Sequence, residues 1–374
     1  MSTRDYFPLG KAHGKAFCNR SKETEWLVDN INSCKHSLLI APRRFGKSSL
    51  SDKACKKAGY PFITLNFNTC SDERDIDILI RRGVSKLIGE AIGKIDKIAT
   101  LIKRYVTHLT PKISIGEHLS LELAALDEEN AAINITEALQ LLEKLLANKK
   151  QRAIIIMDEF QTVGEIAKGK GIEAAIRNVI QDNQYLVVLF SGSNRNLLKT
   201  MFEDDARPLY KLCRKLHLEK IDKEHYRKHI NIIAKDTWGA VLTELVFTMI
   251  MKLSERHPYY VNYLCDVIWT ESDKLPTEKM VLKAWNTLLE EENSDANKEI
   301  SQLALGQRKI LTYIANNNGT SLLSKEIANT LSMPTSSISV AINKLLEKDI
   351  IEKHEQCYDI INPVLKDTLL NPMV

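Results

Sequence analysis

The chain has 374 residues, 44% of them hydrophobic and 27% charged, a balance that suits globular domains and excludes a disordered polymer. Basic residues number 52 against 48 acidic, and a net charge of +4 is too mild to argue for nucleic acid by itself. The 7 cysteines are odd in number and form no CxxC pair, which argues against a zinc ribbon or a disulfide framework. The N-terminus lacks a basic-then-apolar leader pattern, and no apolar run approaches ~18 residues. The expectation is a reduced, cytoplasmic protein of two or three domains with no membrane association.

The first part of the chain, to about residue 222, alternates short β-rich runs with helical patterns, the signature of an α/β parallel sheet. Strands are expected at Ser37–Ala41, Pro61–Asn66, Ala153–Met157, Leu186–Ser191 and Lys215–Leu218, and their unbroken apolar character fits burial on both faces. The second and third are separated by about 85 residues, long for one crossover. Helical patterns cover Asp75–Ile92 and Asn134–Asn148. Within the insert at 93–133, Lys112–Leu123 alternates apolar and polar residues around Gly116 and predicts a hairpin. That hairpin is either a flap over the sheet edge or a partner-contact surface. Residues 223–292 read as all helical. The polar stretch Glu290–Gln302 reads as a helix end followed by a linker, and 303–374 as a small separate unit.

The strongest chemical signal is Ser37–Leu50, an apolar strand running through Ala41-Pro42-Arg43-Arg44-Phe45-Gly46-Lys47-Ser48-Ser49 into a helical pattern. It fits the phosphate-loop pattern GxxxxGK[ST], except that Ala41 stands at the first Gly. Such a loop points backbone N–H groups at phosphate oxygens and closes on the positive end of a helix dipole. Gly46 allows close approach, Lys47 places a cation on the β/γ oxygens, and the Ser48 hydroxyl ligates Mg²⁺. Arg43 and Arg44 either pack the loop or lean towards phosphate or an acidic partner. A second apolar strand ends in Asp158 and Glu159, placing one acid for the Mg²⁺ shell and the other as general base towards water. A third ends in Ser191-Gly192-Ser193-Asn194, where Ser193 and Asn194 either sense the γ-phosphate or cap the next helix.

Taken together, Pro42–Leu50, Met157–Gln161 and the run from Phe190 to Tyr210 resemble the archaeal-type ATPases, STAND-like members of the AAA+ superfamily. Phe17–Thr24 is similar to their leading F-x-x-R-x-x-E segment, and His257–Cys265 to the G-H-P-Y-Y-x-x-x-L-C element of their helical lid. Two departures are Ala41 for Gly and Arg256 for the Gly before the His. The resemblance spans roughly residues 15–290 and implies a P-loop NTPase sheet with an all-α lid. It further implies ATP and Mg²⁺ as ligands, slow and regulated ATP hydrolysis, and Pro258 against the base or ribose. Arg207 becomes a candidate γ-phosphate-sensing arginine, supplied in cis or by a neighbouring subunit, beside the plainer reading of a surface arginine. A finger in trans would make the protein an ATP-favoured homo-oligomer.

The last unit reads as helices at Leu305–Asn316, Ser324–Leu331 and Ser337–Lys348 followed by a hairpin of Ile350–Glu352 and Tyr358–Ile361. This order looks like a winged helix-turn-helix. Its charged residues cancel, and the recognition-helix candidate is poor in phosphate-holding cations. Two functions follow from the sequence. The first is an ATP-hydrolysing switch that gates a separately encoded protein partner, in a defence or regulatory assembly. The second is an ATP-dependent DNA-binding protein, of the replication-initiation or transposition-targeting type, that uses the winged unit.

Overall fold

In the computed structural model the described residues are 6–92, 107–115, 119–125, 130–167, 170–317, 319–355 and 357–371. Among them the chain divides into two compact units, Ser21–Arg43 with Lys47–Leu218, and Met1–Arg20 with Arg44–Gly46 and Glu219–Val374.

The first unit is built on a five-stranded sheet. Its strands are β1 (Ser37–Ile40), β2 (Phe62–Asn66), β5 (Ala153–Asp158), β6 (Leu186–Gly192) and β7 (Arg214–His217). Their order is β2-β5-β6-β1-β7, and every pairing is parallel. The three inner strands are buried at every position, whereas the edge strands β2 and β7 are largely exposed or half-buried. That contrast is what helices on both faces of a parallel sheet produce. The register sets Ile40 beside Gly192, Met157 beside Phe190, and Asn66 beside Asp158. The carboxyl ends of β1, β5 and β6 therefore finish almost level, at the edge of the sheet where α/β proteins commonly hold ligands.

Helices α1 (Ser21–Asn32), α2 (Lys47–Ala58) and α3 (Glu73–Ile92) come before the insert. After it come α4 (Ala131–Lys149), α5 (Gln161–Ile166), α6 (Gly171–Ile180) and α7 (Arg195–Glu203). The expected hairpin is present as the antiparallel pair β3 (Leu109–Ile115) and β4 (Leu119–Ala125). Its Gly116 turn, and the insert's remaining residues at 93–106 and 126–129, lie outside the described residues. A buried polar network anchors β4. Arg81 on α3 pairs with Asp77 at 2.8 and 3.0 Å and donates to the Leu123 carbonyl at 2.6 Å. Asn134 on α4 donates to the same Asp77 at 3.3 Å.

The second unit holds α8 (Lys223–Trp238), α9 (Glu244–Leu253), α10 (Pro258–Glu271), α11 (Glu278–Ser301), α12 (Leu305–Asn317), α13 (Lys325–Leu331) and α14 (Thr335–Glu347). The hairpin β8 (Ile351–His354) and β9 (Cys357–Ile360) and a final helix α15 (Pro363–Leu370) complete it. Here the structure corrects two expectations. Glu290–Gln302 holds no linker, because α11 runs unbroken from Glu278 to Ser301. Along this polar stretch Ala296 is buried on one face, and Asn297 donates to the Asn293 side chain one turn back at 2.6 Å. Residues from Leu303 onward also share one hydrophobic core with α8–α11, and Trp285 donates to Asp367 across it at 3.2 Å. The helix α15 was not expected; Asn362 caps it by accepting from the N–H groups of Val364 and Leu365. No helix among the described residues is long and apolar enough to cross a membrane, and all seven cysteines are free.

Two measurements probe these packings. Asp77→Ala leaves the Arg81 guanidinium buried without its counter-ion, a change worth about 3–5 kcal/mol, and is expected to lower the urea midpoint accordingly. In the second unit, burial pushes His229 from 6.5 down to about 4 and His257 down to about 3, and each has a buried ring nitrogen that makes no hydrogen bond among the described residues. Both rings therefore stay neutral in the fold while the unfolded chain protonates below about pH 6.5. Stability is expected to fall as pH drops from about 6.5 towards 4, with a shallower slope for His229→Gln in denaturation at stepped pH.

Candidate functional site

The loop between β1 and α2 begins at Ala41, which is buried and keeps a negative φ, so its backbone does not call for glycine. Gly46 adopts φ +87°, with open space where a Cβ would stand. Only glycine enters that region without strain, and its bareness leaves the loop open to a bulky anion. Lys47 starts α2, so the first N–H groups of this helix have no carbonyl within it. The lysine is 5% exposed, and its Nζ donates to the carbonyls of Ala41 and Pro42, both at 3.0 Å. Two neutral carbonyls thus take part in holding this cation inside the loop, and phosphate oxygens are stronger acceptors for it. Ser49 is buried in the first turn of α2.

Asp158 ends β5 and is 8% exposed. Its Oδ2 accepts the Ser48 hydroxyl at 2.8 Å, and its Oδ1 accepts the Ser191 hydroxyl at 2.5 Å. One carboxylate therefore ties the ends of three neighbouring chain segments. Glu159 follows in a left-handed backbone at φ +54°, and its N–H donates to Asp158 Oδ1 at 3.2 Å. Its Oε2 accepts three donors: Gln161 Nε2 at 2.6 Å, the Ser193 hydroxyl at 2.7 Å and the Ser193 N–H at 3.3 Å. Arg43 donates to the Ser193 hydroxyl oxygen at 3.4 Å. The two acids are adjacent in sequence and separate in environment.

The structure thus brings Lys47, Ser48, Asp158, Glu159, Ser193 and Arg43 into one cluster and leaves others outside it. Asn194 caps α7, its Oδ1 accepting from the Leu197 N–H at 3.1 Å, so the capping alternative holds for this residue. The Arg207 guanidinium pairs with Glu173 on α6, a carboxylate that is fully buried. Burial raises the Glu173 carboxyl above its usual range, against the opposing pull of Arg207. Among the described residues Arg207 makes no hydrogen bond to the cluster. Arg177 on the same helix donates to the carbonyls of Pro208 and Tyr210, which fixes the chain around Arg207.

Within the other unit, Arg44 takes the packing role. It lies at φ +62°, with its guanidinium 4.0 Å from the Tyr259 ring centroid and 3.7 Å from a Glu292 oxygen. The Phe45 ring meets that of His257 edge-on, with centroids 4.9 Å apart. Pro258 is the first residue of α10, behind its N-cap His257.

Sequence reasoning missed Ser191, Gln161 and Gly192. The signal for Ser191 was a hydroxyl interrupting an apolar run level with the paired acids. Gln161 carried a weaker one, an amide two residues past the acid it serves, and Gly192 none.

The donor set also suits a magnesium ion. Mg²⁺ favours hard oxygens, usually one or two from protein and the rest from water and phosphate, and Ser48 with Asp158 supplies such a pair.

The chain matches no family model and no curated protein. Among solved structures it is similar to the Walker-type ATPase PABY2304 of Pyrococcus abyssi, with TM-score 0.68 and 16% identity over 96% of this chain and 98% of that one. The ORC2 protein of Aeropyrum pernix, in ADPNP-ADP complexes, follows at TM-score 0.60 and 14% identity, covering 98% and 95%. The ORC1 protein of Aeropyrum pernix in complex with DNA aligns at TM-score 0.50 and 12% identity, covering 99% and 96%. With the parallel five-stranded sheet and the loop after its first strand, these likenesses establish an α/β P-loop NTPase fold.

Proposed function

We propose that this protein is an ATP-binding and ATP-hydrolysing switch of the AAA+ type. The observation that carries the reading is the Ser48–Asp158–Ser191 tie beside an independently held Glu159. In this reading Lys47 exchanges the Ala41 and Pro42 carbonyls for β- and γ-phosphate oxygens, and the N–H groups in the first turn of α2 face the remaining phosphate charge. Ser48 and Asp158 would hold Mg²⁺, which when bound neutralises charge on the phosphates. Glu159 accepts a proton from the attacking water, and Ser193 holds the carboxylate while it does so. Arg207 serves its loop through Glu173, and that ion pair favours an anchoring role over a finger.

The switch would act on a separately encoded protein partner, with residues 223–292 as the lid and 303–374 as a winged helix-turn-helix. A homo-oligomer favoured by ATP and a cytoplasmic location belong to the same reading. DNA binding by the winged unit is a second reading, favoured by the likeness to a protein solved with DNA and opposed by the balanced charge beyond Leu303. A steep loss of DNA retention with added salt would favour it, and no retention at low salt would reject it.

Lys47→Ala is expected to abolish ATP binding in calorimetry, since it removes the cation facing the phosphates. Unchanged affinity would overturn the loop assignment. Glu159→Gln is expected to keep ATP binding and to lose roughly 10²–10⁴-fold in turnover, because an amide has the shape but not the basicity. Asp158→Asn is expected instead to weaken the Mg²⁺-dependent part of binding. Wild-type turnover in both acid variants would remove the strand-end roles.

A further inference from the structure

Glu159 stands in a backbone conformation that a glutamate rarely adopts, at φ +54°. What keeps it there lies on both sides. On one side Asp158 is tied to two serine hydroxyls. On the other, Phe160 is fully buried against Phe67, Phe190 and Phe202, and its N–H donates to the Ser191 carbonyl at 2.9 Å. Strain of this kind persists where the surroundings over-determine it, and it marks a side chain that has to be aimed.

The aiming contact comes from Gln161, the first residue of α5 and 5% exposed. Its Nε2 donates to Glu159 Oε2 at 2.6 Å. Its own Oε1 is buried and accepts no hydrogen bond among the described residues. The amide cannot turn round to relieve this, because a carboxylate only accepts and would then face a carbonyl oxygen. Gly192 at the end of β6 makes the seat: a Cβ there would fall 2.0 Å from Gln161 Oε1. A buried amide thus leaves its oxygen unpaired in order to donate to one carboxylate oxygen, in a slot that only glycine permits.

We propose that Gln161, seated by Gly192, is a positioning residue for Glu159. It pins Oε2 together with Ser193 and so leaves Oε1, which makes no hydrogen bond among the described residues, directed at the water. This inference rests on the ATPase reading above. It requires no change in nucleotide binding, since neither residue lies in the phosphate loop.

The test uses the full chain in two arms. In ¹⁵N-glutamine-labelled protein without nucleotide, the Gln161 side-chain amide, assigned by its loss in Gln161→Met, is expected to show a downfield, slowly exchanging proton. Glu159→Ala and Gly192→Ala should each move that proton back to the ordinary amide range. In the second arm, Gln161→Met is expected to lower kcat about ten- to hundred-fold with KM, ATP affinity and thermal midpoint unchanged, the pattern of a misaimed group, and Gly192→Ala to lower kcat in the same way with KM and ATP affinity unchanged, measured well below its thermal midpoint. Met matches the Gln shape without the donor, and Gly192→Ala keeps the donor but displaces it, so one folded variant suffices. An unmoved resonance in Glu159→Ala, or wild-type kcat in a folded variant, overturns the proposal. A fall in thermal midpoint that accounts for the lost activity makes Gln161 merely structural and overturns it too. Wild-type protein without ATP hydrolysis defeats the ATPase reading and this role with it, while the amide resonance still reports the contact.

Discussion

The site depends on one buried carboxylate. Asp158 is an acceptor only, and a buried carboxylate without donors would be severely destabilising, so it needs protons from its neighbours. Ser48 and Ser191 supply them from the segments after β1 and at the end of β6. The strand order places β6 between β1 and β5, so these three ends are next to one another although far apart in the chain. Remove the carboxylate and the loop helix, the acid strand and the third strand end lose their common partner.

From that tie follows the division of labour between the two acids. The Asp158 carboxylate is held by the Ser48 and Ser191 hydroxyls, whereas Glu159, in a left-handed backbone, is held by side chains from α5 and from the turn after β6. The aromatic cluster around Phe160 makes this possible, because a fully buried ring cannot relax to relieve the preceding residue. Packing behind the sheet thus sets direction in front of it. Lys47 is prepared in the same manner, buried and provisionally satisfied by two loop carbonyls.

The second unit follows different physics. Its helices enclose one core from Phe7 to Leu365, and its buried histidines stay neutral through desolvation. Arg44, which the sequence left open between phosphate and packing, stacks on Tyr259 and pairs with Glu292. A delocalised guanidinium finds both partners in one place more readily than an ammonium would.

Much of this was legible in the residues. The five strands, the loop with Gly46-Lys47-Ser48, the paired acids and the hairpin at Lys112–Leu123 are local patterns, and each appears in the structure within a residue or a few. Apolar runs and turn residues report burial and backbone geometry directly, because both act over a few residues. The capture of Arg207 by Glu173 and the seat of Gln161 against Gly192 were not legible in this way. Each depends on which residue the fold brings alongside. A polar side chain carries the same donors and acceptors wherever it stands, and only its neighbours in space decide which of them are used.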